Sequence, residues 1–367
     1  MRKSLFKPQY AALAIILTLV LFAFIPCGYG ERGSKVKNKK PTPAFTIPNK
    51  TPGQGYIYFA GMGDQGTGEP DQRRVAELLN AKAQTDSLQF VLLLGDNFYG
   101  DGVASVNDPQ WRTKFEDMYN LPRLQIPFYA SLGNHDHHKG NGHFQVEYTP
   151  RSKKWKMPAS YYTFTQKIDA THDAQFFALD TETISSGKTP DATQLAWLEH
   201  ELQKSQAQWK IVFGHHPVFS YGDHGNTPAM ITHVRPLLEK YNVDAYVCGH
   251  DHDRQLLTPV NGVYYVISGT GAKSRNTAYG THTIFAATNL GYAWFRLSAN
   301  EFHVQFLDGS GKIEYAHTWA KGGVAKQAYE DMMPVGKGKG GKKEKRDKGE
   351  KKEKKEKKEK EKSSWWW

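Results

Sequence analysis

From residue 56 onward the chain is written in short apolar runs separated by amphipathic stretches. The runs at 56–60, 90–94, 128–132, 210–213 and 245–248 are too short for buried helices, and their aromatic and aliphatic content predicts strands. A helical period fills the gaps. Residues 71–84 place Val75, Leu78 and Leu79 on one face, and 109–119, 191–205 and 232–241 also read as helices. The runs at 263–268, 293–297 and 302–307 then follow as strands with no helix between them. Alternation that gives way to consecutive strands predicts an α/β (α+β) chain folded as a four-layer αββα sandwich, two mixed β-sheets face to face and flanked by helices. No internal repeat is visible.

Charge and composition change that picture only at the ends. The net charge is +11, but residues 1–41 carry +7 and residues 337–362 carry +8, which leaves −4 for 42–335. A basic nucleic-acid-binding body is therefore not expected. Residues 1–30 read as an export signal: Arg2, Lys3 and Lys7 precede an apolar stretch over 11–25, and Gly28-Tyr29-Gly30 offers small residues for cleavage. An uncleaved membrane anchor is the alternative. Residues 31–55 form a Lys-, Pro- and Gly-rich linker that includes the formal glycosylation triplet Asn49-Lys50-Thr51. The catalytic domain is expected over 56–335. Residues 336–367 form a Lys/Glu-rich tail with no apolar positions to bury until Trp365, Trp366 and Trp367. Such a tail reads as solvated chain, with peripheral contact to an anionic membrane as the alternative. An exported, monomeric protein is expected, secreted or periplasmic, with surface association through that tail as the alternative. Once the signal is removed, Cys248 remains of the two cysteines and should be a small buried hydrophobe without a disulfide.

Chemistry gathers where five of the strands end. The segments are Gly63-Asp64-Gln65-Gly66, Gly95-Asp96-Asn97-Phe98-Tyr99, Gly133-Asn134-His135-Asp136, Gly214-His215-His216-Pro217 and Gly249-His250-Asp251-His252. Each places glycine before metal-binding residue types at a strand-to-loop junction, where open α/β sheets hold ligands. Asp64, Asp96, Tyr99, Asn134, His215, His250 and His252 are too many for one tetrahedral ion. They suit two ions that share a carboxylate, and Asp96 is the central candidate. His250 and His252 alternate along the chain, so they point opposite ways and can serve different ions. A phenol with its pKa near ~10 coordinates as phenolate only to a strong Lewis acid, which makes Tyr99 a pointer to Fe(III).

Together these motifs resemble the purple acid phosphatases, most closely the small animal-type, tartrate-resistant group within the calcineurin-like metallophosphoesterases. The resemblance runs from about residue 56 to about residue 308. It implies the metallophosphoesterase fold, with Fe(III) held by Asp64, Tyr99 and His252 and with Asp96 bridging. A second, divalent metal (Fe, Zn or Mn) would take Asn134, His215 and His250. His135 and His224 match substrate-facing histidines. Gln65 and His216 depart from the family's usual Trp and Tyr, and the cysteine pair of some relatives is absent. Gly66 stands where other metallophosphoesterases carry the histidine of Asp-x-His.

The resemblance implies a hydrolase, an acid phosphatase that cleaves phosphomonoesters by in-line attack of a metal-bound hydroxide. An ordinary imidazole titrates near ~6.5, so imidazoles beside such a centre can assist the leaving alkoxide in mild acid. A divalent-metal phosphodiesterase on the same scaffold, or a non-catalytic phosphate-binding protein, is the alternative. His137, His138 and His143 are expected to be solvated, and Asp136 and Asp251 to hydrogen-bond histidines. His216 reads equally as substrate-facing or packed.

Overall fold

The computed structural model describes residues 55–186 and 189–323, and within them every apolar run anticipated from the sequence is a strand. The export signal, all but the last residue of the linker, residues 324–335 of the expected catalytic domain and the tail lie outside the described residues. Among the described residues no helix is long and apolar enough to cross a membrane.

Two seven-stranded mixed sheets form the body. The first contains β1 (Ile57–Met62), β2 (Phe90–Leu94), β3 (Phe128–Ser131), β4 (Trp155–Lys156), β12 (Gly291–Leu297), β13 (Glu301–Asp308) and β14 (Ile313–Ala320), in the order β14-β13-β12-β1-β2-β3-β4. The second contains β5 (Tyr162–Lys167), β6 (Asp173–Ala178), β7 (Trp209–Phe213), β8 (Ala245–Cys248), β9 (Arg254–Val260), β10 (Val263–Ser268) and β11 (Thr283–Ala287), in the order β11-β9-β10-β8-β7-β6-β5. β1, β2, β3 and β4 pair in parallel, as do β6, β7, β8 and β10. The remaining pairings are antiparallel.

The continuous hydrophobic runs reflect burial on both faces. β1 and β2 are buried at every position. Between the sheets, Phe59 stacks on Phe295 at 4.6 Å and meets Phe176 of the other sheet edge-on at 5.3 Å. On the outer face of the first sheet, helix Pro70–Thr85 buries Val75, Ala76 and Leu79, and Lys82 lies over the Trp294 ring. Helix Ala192–Lys204, capped by the Asp191 carboxylate accepting from Gln194 N–H, packs Leu198 and Leu202 with Val212, Tyr246 and Cys248. Cys248 is buried and free.

Two expected helices depart from the α form. Residues Trp111–Glu116 make a wide π-type turn that lets Trp111 stack on Tyr148, with ring centroids 3.6 Å apart. Another wide turn, Met230–Val234, precedes helix Arg235–Lys240, where Pro236 has no N–H to offer the preceding turn. The strands β4, β5, β6, β9, β11 and β14 were not anticipated. Several are half-buried or edge strands, and β9 contains Pro259, so their apolar signal is weak.

Candidate metal centre

All five motif loops leave the carboxyl ends of parallel strands. Asp64, Asp96, Tyr99 and Asn134 follow β1, β2 and β3, while His215, His250 and His252 follow β7 and β8. The turns are sharp. Asp64, Asp96 and His250 adopt φ values of 60°, 52° and 69°, half of the six non-glycine residues with positive φ among those described. Such conformations cost on the order of 1–3 kcal/mol each and collect at functional sites. Close approach explains two of the glycines. A Cβ at Gly133 would overlap the Asp96 carboxylate, and one at Gly249 would lie 2.6 Å from Asp64 Oδ2.

Two sets of side chains result. In the first, Tyr99 Oη lies 3.2 Å from Asp64 Oδ1 and 3.0 Å from His252 Nε2, and His252 Nε2 is 3.4 Å from Asp64 Oδ1. In the second, His215 Nε2 lies 3.1 Å from Asn134 Oδ1 and 3.0 Å from His250 Nδ1. Asp96 touches both sets: Oδ1 is 3.5 Å from His215 Nε2, and its carboxylate interacts with the Tyr99 hydroxyl. Ligand atoms of Asp64, Asp96 and His215 fall within 4.8 Å of one another. His250 and His252 do face different sets.

The donor atoms of this cluster converge in the way a cation site requires. His215 Nδ1 sits 2.9 Å from the Leu94 carbonyl, which only accepts, so a hydrogen is on Nδ1 and Nε2 is the nitrogen turned to the cluster. That nitrogen lies within 3.5 Å of Asn134 Oδ1, His250 Nδ1 and Asp96 Oδ1, a convergence of potential donor atoms suited to a cation. Burial, assisted by the charge of Asp96, drives the Asp64 carboxyl well above the usual range. Burial and the Asp64 and Asp96 charges push the Tyr99 phenol up. Burial lowers His252 to about 4 and drives His250 down as well. For His215 burial acts downward, but the Asp96 and Asp64 carboxylates outweigh it and the net direction is up. The Asp64 and Tyr99 oxygens held back from ionising, and the His250 and His252 imidazoles stripped of protons, fit a transition-metal site.

The surrounding histidines divide by role. His135 donates its backbone N–H to Asp96 Oδ1 at 3.0 Å, and its Nδ1 lies 2.9 Å from the Gly100 carbonyl, which leaves Nε2 for another partner. His224 stacks on His250 with centroids 4.2 Å apart, and its Nε2 accepts from Arg275 Nη1 at 2.8 Å. Burial, with Arg275 adding to it, holds His224 below the usual imidazole value. It is therefore protonated less readily than an ordinary imidazole. His216 is buried, bonded to Thr181 Oγ1 at 2.9 Å and 3.4 Å from Glu182, which makes it a packed residue.

Three expectations need correction. His137 is not solvated: its Nε2 meets the buried Asp180 carboxylate at 2.8 Å. Asp136 serves no imidazole. It accepts from the backbone N–H groups of Gly133, Asn97 and Phe98 and from Gln145, because buried carboxylates take whatever donors a tight turn presents. Asp251 bonds the Ser220 hydroxyl and the backbone N–H of His224, again no ring nitrogen. His138 and His143 are exposed, as expected.

Other contributors carried no readable signal. Thr181 Oγ1 accepts from the backbone N–H groups of both His215 and His216, at 3.2 and 2.9 Å, from more than 30 residues away. Lys114 Nζ donates to the Tyr99 carbonyl at 3.0 Å, and Lys273 Nζ lies 4.2 Å from the Tyr99 ring centroid. Gly66 has a steric reason: a Cβ there would overlap the Asn97 backbone, so no imidazole can project from this position.

The sequence profile of the calcineurin-like phosphoesterases matches residues 58–254. Tartrate-resistant acid phosphatase type 5 of Homo sapiens is 35% identical over 294 residues, covering 70% of this chain and 88% of that protein. Purple acid phosphatase 4 of Arabidopsis thaliana is 32% identical over 333 residues, covering 85% of this chain and 95% of that protein. Among solved structures, the one described as GAP50, the anchor in the inner membrane complex of Plasmodium, superposes with a TM-score of 0.69 at 25% identity, covering 75% of this chain and 91% of that chain.

Proposed function

The chain belongs to the calcineurin-like phosphoesterases of the purple acid phosphatase group, and from that premise we propose that it is an acid phosphatase whose seven converging side chains hold two metal ions, one of them Fe(III). Metal-dependent phosphomonoester hydrolysis goes with the family. The observation that carries the reading to this chain's own residues is the convergence of His215 Nε2 on Asn134, His250 and Asp96. In this assignment Asp64, Tyr99 and His252 hold Fe(III), Asn134, His215 and His250 hold a divalent ion, and Asp96 is shared. When bound, the ions would supply Lewis acidity toward phosphoryl oxygens.

The chain's own residues do the rest. The Leu94 carbonyl holds His215 through Nδ1, and the backbone N–H of His250 donates to Asp64 Oδ2 at 2.9 Å, so each set is oriented from behind. His135, with Nδ1 turned to the Gly100 carbonyl, has Nε2 free to donate a proton to a leaving oxygen when charged. His224 can take that task only when Arg275 releases its Nε2. An imidazole held low by burial favours activity in acid, where it is still protonated.

The test is a visible absorption spectrum with metal analysis of the purified protein. A broad phenolate-to-Fe(III) band with two metals per chain supports the assignment. A colourless protein with stoichiometric divalent metal and no iron would remove Tyr99 from the ligand set and favour the phosphodiesterase. The exclusion of any side chain at Gly66 argues against that second reading. A purely non-catalytic role would not require seven ligand-type side chains to be kept converging. Export, a monomeric state and contact of the tail with anionic membranes are further proposals. Fractionation, sizing, and liposome co-sedimentation before and after deletion of 336–367 test them.

A further inference from the structure

The loop between β10 and β11 sets two cations beside the metal centre. Lys273 Nζ lies 4.2 Å from the Tyr99 ring centroid, and Arg275 Nη1 lies 2.8 Å from His224 Nε2. Both side chains are exposed, and the charge of each reaches His252. Several exposed cations have carboxylate partners: Lys139 with Asp101, Arg112 with Asp117, Lys167 with Asp173, Lys240 with Glu199. Among the described residues, Lys273 and Arg275 form no such pair. Their contacts are an aromatic face and a ring nitrogen, both weaker partners than an anion.

The loop is also anchored. Arg275 N–H donates to the His252 carbonyl at 2.8 Å, Ala278 N–H donates to the Tyr221 carbonyl at 3.0 Å, and Thr277 bridges to Gly222. A Cβ at Gly280 would overlap the Tyr221 ring, so the loop is pressed against the segment that carries His224. Cations held by a fixed backbone lose little freedom when they bind a ligand.

We propose that Lys273 and Arg275 are specificity-determining residues that hold a second anionic group, a phosphate adjoining the phosphoryl group at the metals. This rests on the phosphatase reading of the centre. With a phosphoryl group at Tyr99 and His252, an attached phosphate extends toward the loop. The planar guanidinium fork of Arg275 matches phosphate oxygens in pairs, and Lys273 adds a point charge. Diphosphates are then preferred over monoesters of neutral alcohols.

The test compares the full-length, metal-loaded protein with Lys273→Gln, Arg275→Gln and the double variant. Turnover is measured on inorganic diphosphate and phenyl phosphate, and binding of methylenediphosphonate and methylphosphonate by calorimetry. The loss in kcat/KM of the double variant on diphosphate should exceed its loss on phenyl phosphate by about 30-fold, mostly through KM, as expected for one or two charge-assisted contacts. The Kd for methylenediphosphonate should rise far more than that for methylphosphonate. Equal losses on both substrates would leave Arg275 only the task of holding His224 and overturn the proposal. Unaltered or absent diphosphonate binding would overturn it too. If the parent protein turns over neither substrate while diphosphonate binding still falls in the variants, the phosphatase reading fails and the specificity role with it, and only anion binding by Lys273 and Arg275 stands.

Discussion

The two sheets contribute different chemistry to one centre. Loops of the first sheet supply only oxygen donors: Asp64, Asp96, Tyr99 and Asn134. Loops of the second supply only nitrogen donors: His215, His250 and His252. Neither sheet completes either set, because Tyr99 and Asp64 meet His252 while Asn134 meets His215 and His250. The two sets therefore come together only where the sheets are packed face to face, and Asp96 is the carboxylate that touches both.

The largest expected effect breaks that shared contact. Asp96→Asn should lose both metals by elemental analysis and about four orders of magnitude in kcat, within the range of whole catalytic contributions. Retention of one tightly bound ion would assign Asp96 to a single set. Tyr99→Phe should be more selective. It is expected to lose the visible band and the iron while keeping about one metal, with kcat down about 1000-fold; an unchanged spectrum would remove the phenol from the centre.

Next in size come the two histidines outside the ligand sets. Proton transfer by a positioned side chain contributes ~100-fold or more, so His135→Ala should lower kcat by about that factor with the metals retained. His224→Ala should cost only about tenfold, since Arg275 occupies its Nε2. The reverse order would mean that Arg275 moves away in the working enzyme. The smallest effect sharpens the oxygen side alone. Gly66→Ala should destabilise by about 1–3 kcal/mol through overpacking against Asn97, which lowers Tm by several degrees in a thermal melt. An unchanged Tm would show that the β1 and β2 loops can separate.

Much of this was legible beforehand because the signals were local. Fully buried strands such as 90–94 announce themselves as apolar runs, and glycine followed by a ligand-type residue marks a strand end. Edge and half-buried strands such as β5 and β14 carried too little contrast. Asp136 and Asp251 depart from the expected histidine pairing because adjacency to histidine in sequence says nothing about which donors a folded turn aims at a carboxylate.

The sequence by itself determined the identity of the donors, their order and their placement after strands, since these depend on residue type and short-range periodicity. Tertiary structure alone decided how they are shared. Oxygen and nitrogen donors come from separate sheets, Thr181 ties down His215 from a distant segment, and Lys273 and Arg275 reach Tyr99 and His224 across a loop. Those relations are distances in space between residues far apart in the chain, and only the packing of one sheet on the other brings them within a few ångströms.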